Sequence, residues 1–169
     1  MGIERTLARV EADLAAGRVP VARQRLRGLV GSFPRDLGVR VRLAEVYRLY
    51  GEPAQAGRWS LLDPDRRPEE VAAFVARYPD PVERMHVVAW RGPEEEAATA
   101  FARERLAELR REASRAADRP LEWGATNPSA EEESPGGIRD TLAGWGCFAT
   151  VVLVLGLAGI GACAVIRWL

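Results

Sequence analysis

Apolar and polar residues follow one another with a helical period along residues 3–117 of the chain. Apolar side chains return every three or four positions, and nowhere do more than a few residues show the two-residue alternation typical of a strand. Prolines stand where several of these stretches begin, a position that proline prefers in helices. The pattern therefore predicts helices over residues 3–16, 20–32, 37–50, 53–62, 68–77, 81–90 and 93–117.

The stretch LAEVYRLYGEPAQAG, residues 43–57, has the most specific local pattern. A leucine is followed by a small residue and a tyrosine, a glycine closes the first helix, and an alanine opens the second. This spacing resembles the middle of a tetratricopeptide repeat. The resemblance implies an antiparallel hairpin in which glycine permits a left-handed turn and alanine lets two helices approach closely. The residues expected to pack this hairpin are Leu43, Ala44, Tyr47, Gly51 and Ala56.

A weaker copy of the pattern lies 34 residues upstream, where Gly17 aligns with Gly51 and Ala22 with Ala56. This spacing is the period of the tetratricopeptide repeat. The resemblance covers residues 3–68 and implies an all-α fold that starts as a TPR-like α-solenoid of antiparallel helical hairpins. The opening, TLARVEADLAAGRVPVARQRLRGLVGSFP, also resembles a group of uncharacterised actinobacterial proteins, from which no activity follows.

The end of the chain is apolar: residues 147–166, CFATVVLVLGLAGIGACAVI, contain no charge and no proline. Twenty helical residues span about 30 Å, the thickness of the hydrocarbon core of a membrane. Trp145 and Trp168 bracket this run, as aromatic residues do at membrane interfaces. We therefore expect a single transmembrane helix over residues 142–168, with the lipid bilayer as a partner.

Small residues recur at three- and four-residue steps within this apolar run. A stripe of this kind lets transmembrane helices pack closely, which predicts a homo-oligomer formed through the tail. The alternative is that glycine and alanine are simply common in transmembrane helices. The residues of the predicted association face are Ala149, Val152, Gly156, Gly159 and Cys163.

The composition of residues 118–141, rich in proline, glycine and glutamate, predicts a flexible linker. It would join a helical domain, residues 1–117, to the membrane helix. The N-terminus lacks the apolar core of a signal peptide. A domain made before its membrane segment is hard to translocate, so we expect a single-pass protein of the cell membrane whose N-terminal domain is cytoplasmic.

Charge is unevenly distributed, although the formal net charge is zero. Residues 1–67 contain 13 arginines and 8 acids, whereas residues 68–140 contain 10 arginines and 16 acids. Arginines of the front half can form a basic surface for anionic lipid, nucleic acid or an acidic protein segment. The alternative is that they only solvate the polar faces of two helices, and nucleic acid is disfavoured because no recognition-helix motif is present. The residues of this predicted surface are Arg23, Arg25, Arg27, Arg40 and Arg42.

Residues with catalytic or metal-binding potential are few. His86 is the only histidine and stands among apolar residues, while both cysteines belong to the apolar tail, so no metal or cofactor is expected. The acidic runs 69–70 and 94–96 follow prolines at predicted helix starts, where the helix dipole accounts for them. We therefore predict a membrane-anchored, non-enzymatic adaptor that presents a TPR-like domain to a protein partner. The alternative is an electrostatic binder of anionic lipid or nucleic acid.

Overall fold

The computed structural model describes residues 2–124, and every regular element in this range is helical, as the periodicity predicts. Proline occupies one of the first two positions in four of the helices, where its missing N–H costs nothing. The elements are α1 (Ile3–Ala15), α2 (Val19–Ser32), α3 (Leu37–Leu49), α4 (Pro53–Ser60), α5 (Pro68–Arg77), α6 (Pro81–Val88), a short 3-10 helix (Glu94–Glu96) and α7 (Ala100–Ala116).

The predicted fold class also included a transmembrane helix, and this part of the prediction is corrected. Among residues 2–124, none of the helices combines the length and the apolar character needed to cross a membrane. The longest of them, α7, has 17 residues and carries charged side chains throughout. The predicted span, residues 142–168, lies outside the described residues, as do its association face and interface residues: Ala149, Val152, Gly156, Gly159, Cys163, Trp145 and Trp168.

The first four helices form two successive hairpins whose geometry repeats after 34 residues. The bounds of α1 and of α3 differ by this number at both ends. Each helix is followed by a glycine in the left-handed region, Gly17 with φ of +72° and Gly51 with φ of +67°. Only glycine adopts this conformation without a steric penalty from a Cβ atom. The two connections therefore use the same turn chemistry.

Four of the five residues expected to pack the second hairpin lie in the core of α1–α4, whereas Gly51 is exposed in the turn. Leu43, Ala44 and Ala56 have no exposed surface, and Tyr47 retains 2%. Ala22, which precedes Ala56 by 34 positions, is equally buried. The two alanines contribute to the same apolar cluster, which contains residues of all four helices.

A second apolar cluster is formed mainly by α5, α6 and α7. Leu61 and Leu62, directly after α4, are buried in it rather than in the first cluster. The segment that follows α7 also contributes, because Leu121 is 7% exposed and its N–H donates to the Ser114 hydroxyl at 3.0 Å. The chain therefore folds back over α7 before residue 124.

Helices α4 and α5 approach each other unusually closely at Gly57. A Cβ atom at this position would stand 2.0 Å from the carbonyl oxygen of Glu70. The Glu70 carboxylate, itself buried, accepts two hydrogen bonds from Arg48 of α3, at 2.6 and 2.8 Å. Such a bidentate pair fixes α5 against the preceding hairpin.

The helix predicted over 93–117 is shorter in the structure and begins at Ala100. Thr99 caps it, because its side-chain oxygen accepts from the N–H of Ala102 at 3.1 Å. Glu94 lies in the preceding 3-10 helix and accepts from Arg110 at 2.7 Å and from the Trp123 indole at 3.0 Å. These contacts hold the acidic stretch against α7 instead of in line with it.

Candidate functional site

Two arginine side chains, Arg40 of α3 and Arg58 of α4, are buried with 1% of their surface exposed. Arg40 donates from Nε to the carbonyl of Pro34 at 2.8 Å. Its terminal nitrogens donate to the carbonyls of Val88 at 3.0 Å and Ala89 at 3.1 Å. The last two carbonyls lie at the end of α6, where an α-helix leaves acceptors without a partner of its own.

Arg58 donates from Nε to the carbonyl of Val87, so both arginines bond the end of α6. The Cζ atom of Arg58 lies 4.5 Å from the ring centroid of Trp59. The Cζ atom of Arg40 lies 5.4 Å from the Trp59 ring centroid and 5.8 Å from the Trp90 ring centroid. Aromatic faces and the negative end of the helix dipole stabilise buried cations. Burial, together with the charge of Arg58, lowers the pKa of Arg40 to about 9, so this side chain is charged at neutral pH.

The arginine pair also fixes a strained turn. Ala89 ends α6 with φ of +54°, in the left-handed region that costs a residue with a Cβ atom about 1–2 kcal/mol. Strain of this kind persists where the surroundings determine the conformation. Here the bonds from Arg40 to two successive carbonyls do so.

A recess of about 450 Å³ opens beside Arg58, between the end of α5 and the outer face of α6. We call it the α5–α6 recess. Its volume lies within the roughly 300–1,000 Å³ of pockets that take small ligands. The polar and charged residues that line it are Arg58, Arg77, Tyr78, Asp80, Glu83 and His86.

Tyr78 is held at the edge of the α5–α6 recess by contacts on two sides. The Tyr78 ring centroid lies 5.4 Å from the ring centroid of Phe74. The guanidinium carbon of Arg77 lies 5.5 Å from the Tyr78 ring centroid. The hydroxyl oxygen of Tyr78 accepts from Nε2 of Gln55 at 3.4 Å. Because the oxygen acts as acceptor in this contact, the hydroxyl hydrogen can donate to a ligand.

The α6 side of the recess contributes acceptors. Asp80 caps α6 and accepts from the N–H groups of Val82 and Glu83 at 3.1 and 3.4 Å. Glu83 and His86 stand three positions apart and are exposed, so they project from neighbouring points of one helix face. The recess is therefore bipolar, with guanidinium groups from α4 and α5 and carboxylates at the start of α6.

One arginine of the predicted basic surface is wrongly assigned, because Arg40 is buried. The sequence pattern places it on the polar side of the helix that contains Val39 and Leu43. The structure instead turns this side chain inward, where backbone carbonyls replace water as acceptors. A buried guanidinium cannot contribute to a surface for lipid or nucleic acid.

The other members of the predicted surface are partly or fully exposed, and all of them interact with other residues. One lies 4.7 Å over the Tyr50 ring, a second pairs with Asp13 at 2.7 Å, and a third pairs with Glu45 at 3.1 Å and Glu11 at 3.5 Å. Acids thus neutralise part of the positive charge. These three are, in the same order, Arg23, Arg25 and Arg42, and the fourth member, Arg27, is half-buried.

Sequence reasoning missed Arg58 and Tyr78 as parts of a site. Residues 56–60 are all buried, so the helical period does not separate a polar face in this short helix. The hydrogen bond from Arg58 to a carbonyl 29 positions later also cannot be predicted from the local sequence pattern. His86, which stands among apolar residues in the sequence, is exposed and lines the recess. No cluster of three or more potential metal ligands occurs within residues 2–124.

The described fold and its recess define a protein of stacked helical hairpins with a small bipolar pocket beside a buried arginine pair. No curated protein and no solved structure matches the chain. The chain belongs to the DUF6584 family, a family of unknown function, which it matches over residues 1–167.

Proposed function

We propose that residues 2–124 form the binding domain of a non-enzymatic adaptor that holds a protein partner through the α5–α6 recess. The observation that carries this proposal is the recess itself, where charged and hydrogen-bonding groups from three helices surround an open volume of about 450 Å³. Pockets with a few convergent polar groups are the usual places where proteins bind ligands. Stacked helical hairpins commonly present such surfaces to peptides.

A TPR-like start is part of the proposal. It is supported by the 34-residue register of α1 and α3, by the left-handed glycines Gly17 and Gly51, and by the buried alanines Ala22 and Ala56. These are the features that the repeat requires at its turns and helix contacts. In this arrangement α1–α4 serve as a rigid base for the recess.

The electrostatic alternative has less support from the contacts. A binder of phosphates needs arginines that are free to replace counterions. Arg40 is instead buried, and Arg25 and Arg42 already face carboxylates of their own domain. The proposed partner is therefore a protein and not a lipid surface or a nucleic acid.

The experiment uses the full chain, immobilised and exposed to lysate of the source organism, to anionic vesicles and to nucleic acid, each at low and near-physiological salt. His86→Trp is the test variant, because this exposed residue lines the recess and a large side chain would fill it. Arg9→Trp, on an exposed position of α1, is the matched control. We expect proteins that stay bound at both salt concentrations, are lost with His86→Trp and are kept with Arg9→Trp.

The opposite pattern would disprove the proposal. Binding only to vesicles or nucleic acid, with a steep loss as salt rises, is the behaviour of an electrostatic surface. Retention of the same proteins by both variants would remove the recess from the interaction.

A further inference from the structure

We propose that a groove along the C-terminal half of α7 binds an extended acidic segment of a protein partner. The groove has a volume of about 490 Å³ and shares no lining residue with the α5–α6 recess. This inference goes beyond the proposed function, because it adds a second contact surface with its own chemistry. We call it the α7 groove, and its lining residues are Glu108, Arg110, Arg111, Ser114, Arg115 and Pro120.

The α7 groove is formed where the chain turns back after α7. The N–H of Arg119 donates to the carbonyl of Ser114 at 3.2 Å, and the N–H of Leu121 donates to the hydroxyl of the same serine at 3.0 Å. Leu121 is buried, so these bonds and its apolar contacts hold Pro120 as a wall beside the helix. A groove that exists before binding loses little conformational freedom when a ligand enters.

Two cations of the α7 groove are exposed and have no acidic partner. Arg111 and Arg115 stand one helical turn apart, and the sequence places an acid three positions before each of them. These acids, Glu108 and Glu112, instead pair with other arginines, so neither cation has a carboxylate partner within residues 2–124. Arg111 donates only from Nε, to the carbonyl of Ala107 at 3.2 Å, which leaves its terminal nitrogens for a ligand.

Other donors line the same groove. The hydroxyl of Ser60, also in a helix, donates to the carbonyl four positions earlier, whereas the hydroxyl of Ser114 accepts from Leu121. The hydroxyl hydrogen of Ser114 can therefore donate to a ligand. Arg110 adds a third guanidinium, which its bonds to Glu94 hold in place. A ligand made of acceptors and negative charge suits this set.

The spacing of the two exposed cations suits an extended acidic peptide. Side chains four positions apart on a helix have Cβ atoms about 5–6 Å from each other. In an extended chain, residues two positions apart point to the same side and lie about 6.5 Å apart. Two carboxylates on one side of an acidic run can therefore pair with Arg111 and Arg115 at the same time.

The limited extent of the positive charge favours a peptide over a phosphate surface. Membranes and nucleic acids are bound by larger sets of basic side chains that replace many counterions. On α7 the arginines alternate with Glu104, Glu108 and Glu112, which confine the positive field to the groove. A short acidic segment fits within this field, whereas a long polyanion would also meet the acids.

The test measures binding of the full chain to a labelled peptide that contains a run of glutamates. The same peptide with glutamine in place of glutamate, double-stranded DNA and anionic vesicles are the comparisons. We expect the glutamate peptide to bind, and to bind more weakly as salt rises, because exposed charges are screened. The glutamine peptide should bind at least about tenfold more weakly, since it offers no charge-assisted hydrogen bond. DNA and vesicles should bind more weakly than the glutamate peptide.

Variants assign the binding to the α7 groove. Arg111→Gln and Arg115→Gln should each weaken binding of the glutamate peptide about two- to fivefold, and both together about tenfold. Glutamate at both positions should make the protein bind a lysine peptide instead, a gain that damage to the fold does not produce. Arg9→Gln, at an exposed position of α1, is the matched control and should change nothing. His86→Trp should also leave this binding unchanged, which separates the α7 groove from the proposed function.

The contrary outcomes are distinct. Equal binding of the glutamate and glutamine peptides, or parental binding by the doubly substituted protein, refutes the α7 groove as a site for acidic segments. Tighter binding of DNA or vesicles, lost with the same two arginines, shows a phosphate-binding surface and refutes the peptide ligand. Loss of the glutamate peptide with His86→Trp would place it in the α5–α6 recess and would also refute this inference.

Discussion

A single added methyl group at Gly57 should destabilise the protein because it would separate α4 from α5. An ideal Cβ atom at this position lies 2.0 Å from the carbonyl oxygen of Glu70, 2.4 Å from its carbonyl carbon and 3.0 Å from the backbone nitrogen of Val71. All three atoms belong to the backbone of α5, so no side chain can rotate away. The two helices themselves must move apart in Gly57→Ala.

The size of the effect follows from that movement. The optimal van der Waals separation of non-bonded atoms is about 3.5 Å. Because the added Cβ atom would lie 2.0 Å from the Glu70 carbonyl oxygen, the two backbones must separate by about 1.5 Å. Overpacking of this kind costs about 1–3 kcal/mol, and the upper end applies because both surfaces are rigid backbone. The better helix propensity of alanine offsets up to about 1 kcal/mol of this cost. We therefore expect the free energy of unfolding to fall by about 2–3 kcal/mol.

Gly28→Ala provides the matched control. Gly28 lies inside α2, and a Cβ atom there meets no atom within 4 Å. The same substitution should therefore raise the free energy of unfolding by about 0.5–1 kcal/mol, through propensity alone. Urea denaturation of the full chain, followed by circular dichroism at 222 nm as the usual helix signal, measures both variants. If Gly57→Ala is as stable as Gly28→Ala, the close approach of α4 and α5 is not a feature of this protein.

Three further predictions concern stability, and each is measured by urea denaturation. In the second hairpin, Ala56→Leu should cost about 1–3 kcal/mol by overpacking and Tyr47→Ala about 2–4 kcal/mol by leaving a cavity; parental stability of both would contradict the hairpin packing. Arg40→Ala should cost about 2–5 kcal/mol, because buried carbonyls lose their donors; an unchanged midpoint would show that these bonds do not matter. Hydrogen bonds from Arg110 and Trp123 lower the pKa of Glu94, so its contribution is present above the unfolded-state value of about 4.5 and is lost as pH falls below it. Glu94→Gln should therefore cost about 1–2 kcal/mol at pH 7 and much less at pH 3, and a cost that does not change with pH would refute the linkage.

Local rules predict the described helices well where the determining contacts are themselves local. Helix starts at prolines, the left-handed glycines and the small alanine at the hairpin contact all depend on neighbours within a few residues. The exception among helix starts is the stretch after Pro93. Proline there suggests a helix, yet the contact of Glu94 with Arg110, 16 positions later, keeps the acidic residues out of α7.

The candidate site was not predictable for the opposite reason. A helical pattern assigns arginine to the solvent side, because burying a charge is costly unless acceptors replace water. For Arg40 those acceptors are carbonyls 48 and 49 positions later in the chain, and for Arg58 a carbonyl 29 positions later. No property of the local sequence shows that the end of α6 returns to these two side chains.

The recess itself follows from the point at which the repeat stops. If the 34-residue register continued, the helix after α4 would begin at 71, but α5 begins at Pro68 and packs directly on Gly57. The chain that follows is therefore not set to form a third equivalent hairpin. Instead the short α6 ends on Arg40 and Arg58, and its outer face is left open beside Tyr78. The same close contact that makes Gly57→Ala costly thus sets the position of α5, whose end forms one side of the recess.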